Sequence, residues 1–448
     1  MQASIFDNKT AIFSICATNY VGLAEVMLRS ARTHHPGMEL HLFVTDSVVI
    51  SFPKLDNIVY HSAQAELIPY YKDLAYSDLA FAYDVTELAT SIKAACFLFL
   101  FDSSLCHRAV YLDPDIYLYN NIDSIFNSLN SYSVTLTPHI LSSSLSSKCP
   151  LPETFINTTG IFNLGFIGFS KTSTALEMLK WWHQRLLKYC LSETIDGQYT
   201  DQLWINFLFS YWDTRHIAIL RSPGFNLAPW NYHERVVVDS GSCLNVLLKD
   251  PEHFPGNDLT YQNDKDVSYP LSFAHFSGFN YAALMHGVVE QKNIHHTRFK
   301  DSSVLPIYEN YISALQSSQS RIEKFLRIPY AYALNADGFN ITSFQRRLFY
   351  SSFINPVNQC SHQKMTPIDF QSAVKSKNAA LGLIRGVFER KKKNIFGEDR
   401  THVGIPLPII IRFLFRLLYL FLGDNTFNTL LKGLRHLSRI KRYTYFME

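Results

Sequence analysis

Asp113-Pro114-Asp115 places two carboxylates two residues apart, directly after the apolar run Arg108–Leu112 and before Ile-Tyr-Leu-Tyr. At a strand end both can reach one cation, and the intervening proline stiffens the turn. Mg²⁺ and Mn²⁺ favour oxygen ligands and are usually shared with substrate phosphates. Alone the pattern is weak, because Asp is common in solvated turns. Three further groups belong with it. Asn163-Leu164-Gly165 lies in a strand-like run, Tyr199-Thr200-Asp201-Gln202 precedes a helix-like stretch Leu203–Phe209, and His275-Phe276-Ser277-Gly278 follows the apolar Leu271–Ala274. Each has a plainer reading. His275 fits a hydrogen-bonded packing residue, Asp201 an N-cap for the helix opening at Leu203, and Asn163 a strand-end hydrogen bonder.

The elements around these residues alternate. Ala11–Ala17 reads as a buried strand. Gly22–His35 reads as a helix with Leu23, Val26, Met27 and Ser30 on one face, stopped by Pro36-Gly37. Leu40–Val44 is a second strand, Tyr83–Phe101 a helix capped by Asp84 or Thr86, and Arg108–Leu112 a third strand. Strands separated by helices predict right-handed βαβ units and a parallel sheet, with ligands beyond the carboxyl ends of the strands. Ser133–Thr137 and Ile161–Phe169 read as further strands and Thr174–Leu187 as an amphipathic helix. Beyond about residue 290 short helical stretches dominate, with a surface turn expected over Gln316–Ser320.

The ordered set resembles the nucleotide-sugar glycosyltransferases of the GT-A fold, above all family 8, the retaining galactosyltransferase and glycogenin group. It also resembles bacterial cell-envelope glycosyltransferases, through Tyr-Asp-Val-Thr-Glu-Leu (83–88), Asn-Leu-Gly-Phe (163–166) and Pro-Gly-Phe-Asn (223–226). The likeness covers roughly residues 11–280. It implies an α/β fold: a Rossmann-like, mixed but mostly parallel sheet flanked by helices, with a helical C-terminal extension. It implies that Asp113, Asp115 and His275 hold Mn²⁺ or Mg²⁺ against the donor diphosphate. Asp201 and Gln202 match a pair beside the donor sugar, and Asn163 an Asn that holds the sugar. Ile15-Cys16-Ala17-Thr18-Asn19-Tyr20 resembles the first strand and loop that contact the nucleoside, so Thr18 and Asn19 are expected there. The family's Lys-Pro-Trp after the His motif is missing; Phe279-Asn280-Tyr281 stands in its place. Another cation must then meet the diphosphate, or it is held less tightly. Lys93 is a candidate donor contact.

Sugar transfer explains the residue types. Breaking the sugar–phosphate bond makes an oxocarbenium-like centre and an anionic leaving group, whose charge a metal neutralises. In a retaining reaction Asp201 or Gln202 would stabilise the β face; in an inverting one a carboxylate would act as base on the acceptor hydroxyl. Two other classes use similar parts. A haloacid-dehalogenase-type phosphohydrolase wants Thr or Val two residues after its second Asp, where this chain has Tyr117. A non-catalytic saccharide-binding or scaffold protein on the same frame is the other, and the missing lysine after Gly278 keeps it open. Trp181 and Trp182 share helical spacing with Met178 and Leu186 and read as core. The loop of Trp230, Asn231, His233 and Glu234 fits either a sugar-lining segment or a surface turn. The adjacent pairs His34-His35 and His295-His296 do not face one target.

The chain has 448 residues, 47% of them hydrophobic and 18% charged, which excludes a disordered protein. Seven cysteines without a CxxC pair suggest neither a disulfide framework nor a cysteine-based zinc site, and a reducing cytosol is expected. No secretory signal is read in the first residues. The net charge of +3 argues against a nucleic-acid partner. It is an average of unlike parts: residues 380–448 hold 13 Lys and Arg against 5 Asp and Glu, net +8, and the remainder is −5. Ile405–Leu422 is apolar but carries Arg412 and Arg416 on one face, which fits a helix lying in a membrane interface better than a span. A second amphipathic helix is expected over Thr426–Ile440, and Arg390-Lys391-Lys392-Lys393 is basic. These readings divide the chain into a catalytic domain at 1–290, a helical, acceptor-related extension at 291–400, and membrane-associating helices at 401–448. The expected partners are a nucleotide-sugar donor, a glycan or glycolipid acceptor and an anionic membrane surface, at the inner face of the cytoplasmic membrane.

Overall fold

The computed structural model describes residues 10–46, 57–142 except 73, 153–249 except 195 and 196, 267–291, 304–334, 340–354 and parts of 414–431, with Leu55 and Phe254 besides. The described chain forms two compact units, residues 1–79 with 85–331, and 80–84 with 332–448.

The first unit is built on a seven-stranded sheet. In chain order its strands are β1 (Thr10–Cys16), β2 (Glu39–Val44), β3 (Val59–Ser62), β4 (Arg108–Leu112), β6 (Val134–Leu136), β7 (Phe166–Ser170) and β8 (Ile217–Ile219). Between β4 and β6 lies β5 (Ile116–Leu118), which belongs to a separate pair. The spatial order is β3-β2-β1-β4-β7-β6-β8. Pairing is parallel throughout except for β7, which runs antiparallel to both β4 and β6. The expected mixed, mostly parallel α/β sheet is thus observed. Every residue of β1 is buried, as a strand covered on both faces requires. The chain moves outward from β1 to β2 and β3, then returns to place β4 on the other side of β1. That reversal is a topological switch point, where the carboxyl ends of neighbouring strands diverge and leave a crevice.

Helices Val21–His34, Lys93–Asp102 and Ser173–Leu186 cover the sheet. The last is capped by Thr172, whose hydroxyl accepts from the Ala175 amide at 3.1 Å. Trp182 on this helix is fully buried, as its spacing predicts. Helices Leu305–Ser317 and Gln319–Leu326 follow. Arg321 of the second forms an ion pair with the buried Glu25, which also accepts from the Tyr60 hydroxyl at 2.6 Å. A three-stranded antiparallel sheet joins β9 (Arg235–Asp239), β10 (Leu244–Leu248) and β11 (Tyr269–Pro270), and β12 (Phe273–His275) pairs antiparallel with β5.

Several boundaries differ from the sequence reading. The helix expected over Tyr83–Phe101 is instead Val85–Ser91 and Lys93–Asp102, parted at Ile92. The strand expected from Ile161 begins only at Phe166: Phe162 makes an isolated antiparallel bridge with Pro138, and the chain then turns at Leu164-Gly165 before entering β7. After Asp201-Gln202 the chain forms a 3₁₀ turn, Leu203–Phe207, before the short helix Leu208–Tyr211. Gln316–Ser320 is the junction of two helices, with Ser318 taking a hydrogen bond from Arg29 at 3.1 Å, and not a surface turn.

In the second unit the buried Arg346 guanidinium donates to the carbonyls of Ala80, Phe81 and Tyr83 at 2.8–3.0 Å. Of the C-terminal segment, residues 414–415, 417–423, 426–427 and 429–431 are described and helical. Phe427 is buried against Tyr419 and Phe415, while Leu414, Leu418, Leu420, Phe421 and Leu422 are exposed. Arg412, Arg416, the basic run at 390–393, His295-His296 and most of the second expected helix lie outside the described residues. Among the described residues no helix is long and apolar enough to cross a membrane.

Candidate metal and donor site

Three chain segments meet at the carboxyl end of β4. β7 lies beside β4, and the Asp113 amide closes that pairing by donating to the Gly165 carbonyl at 2.8 Å. The chain turns at Pro114, where the Ile116 amide returns to the Asp113 carbonyl at 3.1 Å. β5 then pairs with β12 so that Ile116 faces His275, and the Phe276 amide donates to the Asp115 carbonyl at 2.9 Å. This pairing carries His275 onto carboxylates 160 or more positions earlier in the chain. Its Nε2 lies 3.1 Å from Asp115 Oδ1 and 3.6 Å from Asp113 Oδ2. One ligand atom of each of the three lies within 4.8 Å of the other two.

The carboxylates are partly open, Asp113 at 28% and Asp115 at 17% side-chain exposure, whereas His275 is 3% exposed. Burial holds the Asp113 carboxyl above the usual range, against the pull of Lys93 and His275. Burial acts the same way on Asp115, but the His275 charge and hydrogen bond and the Tyr281 hydroxyl outweigh it and hold its carboxyl low. Burial alone would lower His275; the two carboxylates beside it raise it instead. Two oxygen ligands and one imidazole at a solvent-open corner fit Mn²⁺ or Mg²⁺, leaving positions for water and phosphate oxygens.

Tyrosines hold the acids. The Tyr111 hydroxyl donates to Asp113 Oδ1, and the Tyr281 hydroxyl lies 2.9 Å from Asp115 Oδ2 and 2.7 Å from the Phe276 carbonyl. Tyr281 occupies the stretch where a lysine is missing. Tyr111 also connects this corner to a second one. The Lys93 ammonium lies 4.1 Å above its ring, donates to the Leu164 carbonyl at 2.8 Å and forms a buried ion pair with Asp201. Asp201 further accepts from the Thr200 hydroxyl at 3.1 Å, and its carbonyl from the Trp182 indole at 3.1 Å. Gln202 uses both ends of its amide on backbone: Oε1 accepts from the Leu164 amide at 3.1 Å and Nε2 donates to the Thr159 carbonyl at 2.8 Å. Asp201 and Gln202 therefore brace the 163–165 turn from behind.

Asn163 lies between the two corners and touches His275: its Oδ1 is 3.1 Å from His275 Nδ1. Gly165 must be glycine, because a Cβ there would stand 2.3 Å from His275 Cε1 and 2.6 Å from Nδ1. Trp230 packs its ring edge-on to His275 at 5.2 Å and is buried, so its loop is no surface turn. Its indole nitrogen has no hydrogen-bond partner among the described residues. At the end of β1, Thr18 is bound through its amide, at 2.8 Å, and its hydroxyl to the fully buried Asp46, whose other oxygen accepts from the Ala331 amide at 3.2 Å. The neighbouring Asn19 leaves its buried Oδ1 without a partner among the described residues.

Three residues of this arrangement were given no role in the sequence reading: Tyr111, Tyr281 and Asp46. Tyr111 carried a signal, since it precedes Asp113 by two and so shares its strand face. The others are brought in by pairings that no local pattern encodes.

No protein-family profile matches the chain. It is similar to two proteins of Bacillus subtilis (strain 168). One is the uncharacterized protein YfnF, 24% identical over 196 residues, covering 43% of this chain and 55% of that protein. The other is the uncharacterized protein YfnD, 26% identical over 237 residues, covering 51% and 62%. The chain thus spans less than two thirds of the length of these relatives. Among solved structures it is similar to the galactosyltransferase LgtC in complex with donor and acceptor sugar analogues, at a TM-score of 0.40 and 16% identity, covering 69% of this chain and 99% of that one. A glycosyltransferase involved in glycosylation of the major capsid of PBCV-1 aligns at a TM-score of 0.30 and 14% identity, covering 60% and 93%.

Proposed function

We propose that this protein is a divalent-metal-dependent glycosyltransferase of the GT-A type. It would move a sugar from a nucleoside-diphosphate donor to a saccharide or lipid-linked acceptor in cell-envelope glycan synthesis. The observation that carries the reading is the convergence of Asp113, Asp115 and His275 at the open end of β4, beside the sheet's switch point. A cation held there would neutralise charge on the departing diphosphate. We assign the nucleoside to the end of the adjacent β1, beside Thr18 and Asn19, where Asn19 Oδ1, without a partner among the described residues, would offer it an acceptor. Lys93 and Asp201 shape the turn that carries Asn163, and we assign the floor of the sugar pocket to this turn. The reaction is read as retaining; with Asp201 paired to Lys93 and Gln202 bonded at both ends to backbone, these two residues serve it by holding the turn that carries Asn163 and not by reaching the β face.

The test is a panel of nucleoside-diphosphate sugars with and without Mn²⁺, scored for binding and donor hydrolysis, with the anomeric configuration of the product read by NMR. Turnover lost in Asp113→Ala and Asp115→Ala supports the reading. No donor bound or turned over, with both variants behaving as the parent, ends it. Donor binding without turnover would favour the saccharide-binding alternative.

We further propose that the C-terminal segment seats the enzyme on an anionic membrane surface, at the inner face of the cytoplasmic membrane. The exposed Leu414, Leu418, Leu420, Phe421 and Leu422 and the +8 charge of residues 380–448 support it. Salt-sensitive co-sedimentation with phosphatidylserine vesicles, absent with phosphatidylcholine, is the expected result. Equal sedimentation with both would leave no role for the charge.

A further inference from the structure

The hydrogen bonds around Asn163 can be read without ambiguity, and they bear on how His275 presents itself. Gly165 N–H is a backbone donor and lies 3.2 Å from Asn163 Oδ1. A backbone N–H can only donate, so the atom facing it must be the amide oxygen, which fixes the orientation of the Asn163 amide. The same oxygen is 3.1 Å from His275 Nδ1 and 3.2 Å from Asn226 Nδ2. An amide oxygen can only accept, so His275 Nδ1 carries a proton. The other end of the amide agrees. Asn163 Nδ2 lies 3.3 Å from His139 Nε2, and His139 Nδ1 lies 3.2 Å from the Ile161 carbonyl. The carbonyl requires a proton on His139 Nδ1, which leaves its Nε2 to accept from Asn163.

His275 cannot easily escape this bond. Gly165 backbone lies against one side of the ring, at a distance that excludes even a methyl group, and Trp230 lies against it edge-on. The opposite nitrogen, Nε2, is the one directed at Asp115 and Asp113.

We propose that Asn163 is a positioning residue for the metal site: its Oδ1 holds the proton on His275 Nδ1 and so presents the Nε2 lone pair to a divalent cation shared with Asp113 and Asp115. The inference rests on the metal-site reading above. It gives Asn163 a task separate from any contact with sugar. Partners that orient a ligating imidazole in this way are typically worth about 10–100-fold in metal affinity. A metal takes the place of whatever occupies Nε2; the Nδ1 proton stays in both states, and only an acceptor at position 163 can keep it there.

The experiment uses the full chain and Mn²⁺ alone, without donor. Free Mn²⁺ is followed by electron paramagnetic resonance to obtain the dissociation constant. The ¹⁴N modulation of the bound ion in pulsed spectra reports whether an imidazole nitrogen is coordinated. Four proteins are compared: the parent, Asn163→Leu, Asn163→Asp and Asp113→Ala. Asn163→Leu has no acceptor for Nδ1, and is expected to weaken Mn²⁺ about 10–100-fold and to lose or reduce the ¹⁴N signal. Asn163→Asp keeps an acceptor, and is expected to retain both the signal and an affinity at least equal to the parent's. If Asn163→Leu does not fold, Asn163→Asp decides: loss of its imidazole signal overturns the proposal. Unchanged affinity and signal in folded Asn163→Leu overturn it as well, while leaving the metal site standing. If the parent binds Mn²⁺ no better than Asp113→Ala, the metal-site reading falls and this inference falls with it.

Discussion

Lys93→Met tests whether the second corner is held by charge. Lys93 and Asp201 are 1% and 2% exposed, and the ammonium also serves the Leu164 carbonyl and the Tyr111 face. Methionine keeps the length of the stem and removes the charge. Asp201 is then left buried with the Thr200 hydroxyl in place of its cation. Breaking one side of a buried pair costs about 3–5 kcal/mol, because the remaining charge is uncompensated. The Leu164 carbonyl loses a donor, worth about 1 kcal/mol more. The double variant Lys93→Met/Asp201→Asn removes both charges and should recover about half of that loss. All five tryptophans lie between Trp181 and Trp230, so tryptophan fluorescence in urea follows the first unit alone, even where the whole chain does not unfold in one step. Refutation has two forms. The single variant costs less than about 1 kcal/mol, or the double variant costs as much as the single. If instead Lys93→Met raises the donor KM at unchanged stability, Lys93 faces the donor and does not hold the turn.

Gly165→Ala should shift the His275 ring, since its new Cβ would fall 2.3 Å from Cε1. We expect Mn²⁺ affinity to fall at least as far as in Asn163→Leu, measured by the same titration. Tyr281→Phe removes the hydroxyl from Asp115 Oδ2 and the Phe276 carbonyl. The Asp115 carboxyl then rises, the lower edge of the pH range for Mn²⁺ binding moves upward, and stability falls by about 1 kcal/mol; titrations at several pH values check this. His41 is lowered to about 3 and His139 to about 4, in both cases first by burial. In the unfolded chain each takes up a proton near pH 6.5 that the folded chain refuses, so stability is full above that pH and is lost on acidification toward 3–4. Each contributes about 1.4 kcal/mol per pH unit within its window. His41→Gln should flatten the decline seen in urea melts between pH 6.5 and pH 5; an unchanged slope would mean the ring is not held neutral.

The sequence alone determined the parts that local physics writes into neighbouring residues. Continuous apolar runs marked β1, β2 and β4 to within a residue or two, since strands covered on both faces have no polar side to show. Period-3.6 spacing marked Val21–His34 and Ser173–Leu186, and put Trp182 in the core. The acidic pair at the end of β4 was legible because its turn and its strand are adjacent in the chain. Less was legible where backbone groups bond far away. The strand expected from Ile161 loses its first residues because the chain turns at Leu164-Gly165, where Lys93 and Gln202 take the Leu164 carbonyl and amide, and Gln316–Ser320 becomes a helix junction because Ser318 meets Arg29.

Only the tertiary structure decided what the chemical groups do. Tyr281 reaches Asp115 across 166 positions, Asn163 reaches His275 across 112, and Lys93 reaches Asp201 across 108. No periodicity spans such distances; the pairings of β4 with β7 and of β5 with β12 create them. Residue type told that His275 can ligate and that Asp201 can act at a sugar. Which nitrogen His275 presents, and that Asp201 spends its charge on Lys93, depend on hydrogen-bond partners that only the folded chain brings within 3 Å or so.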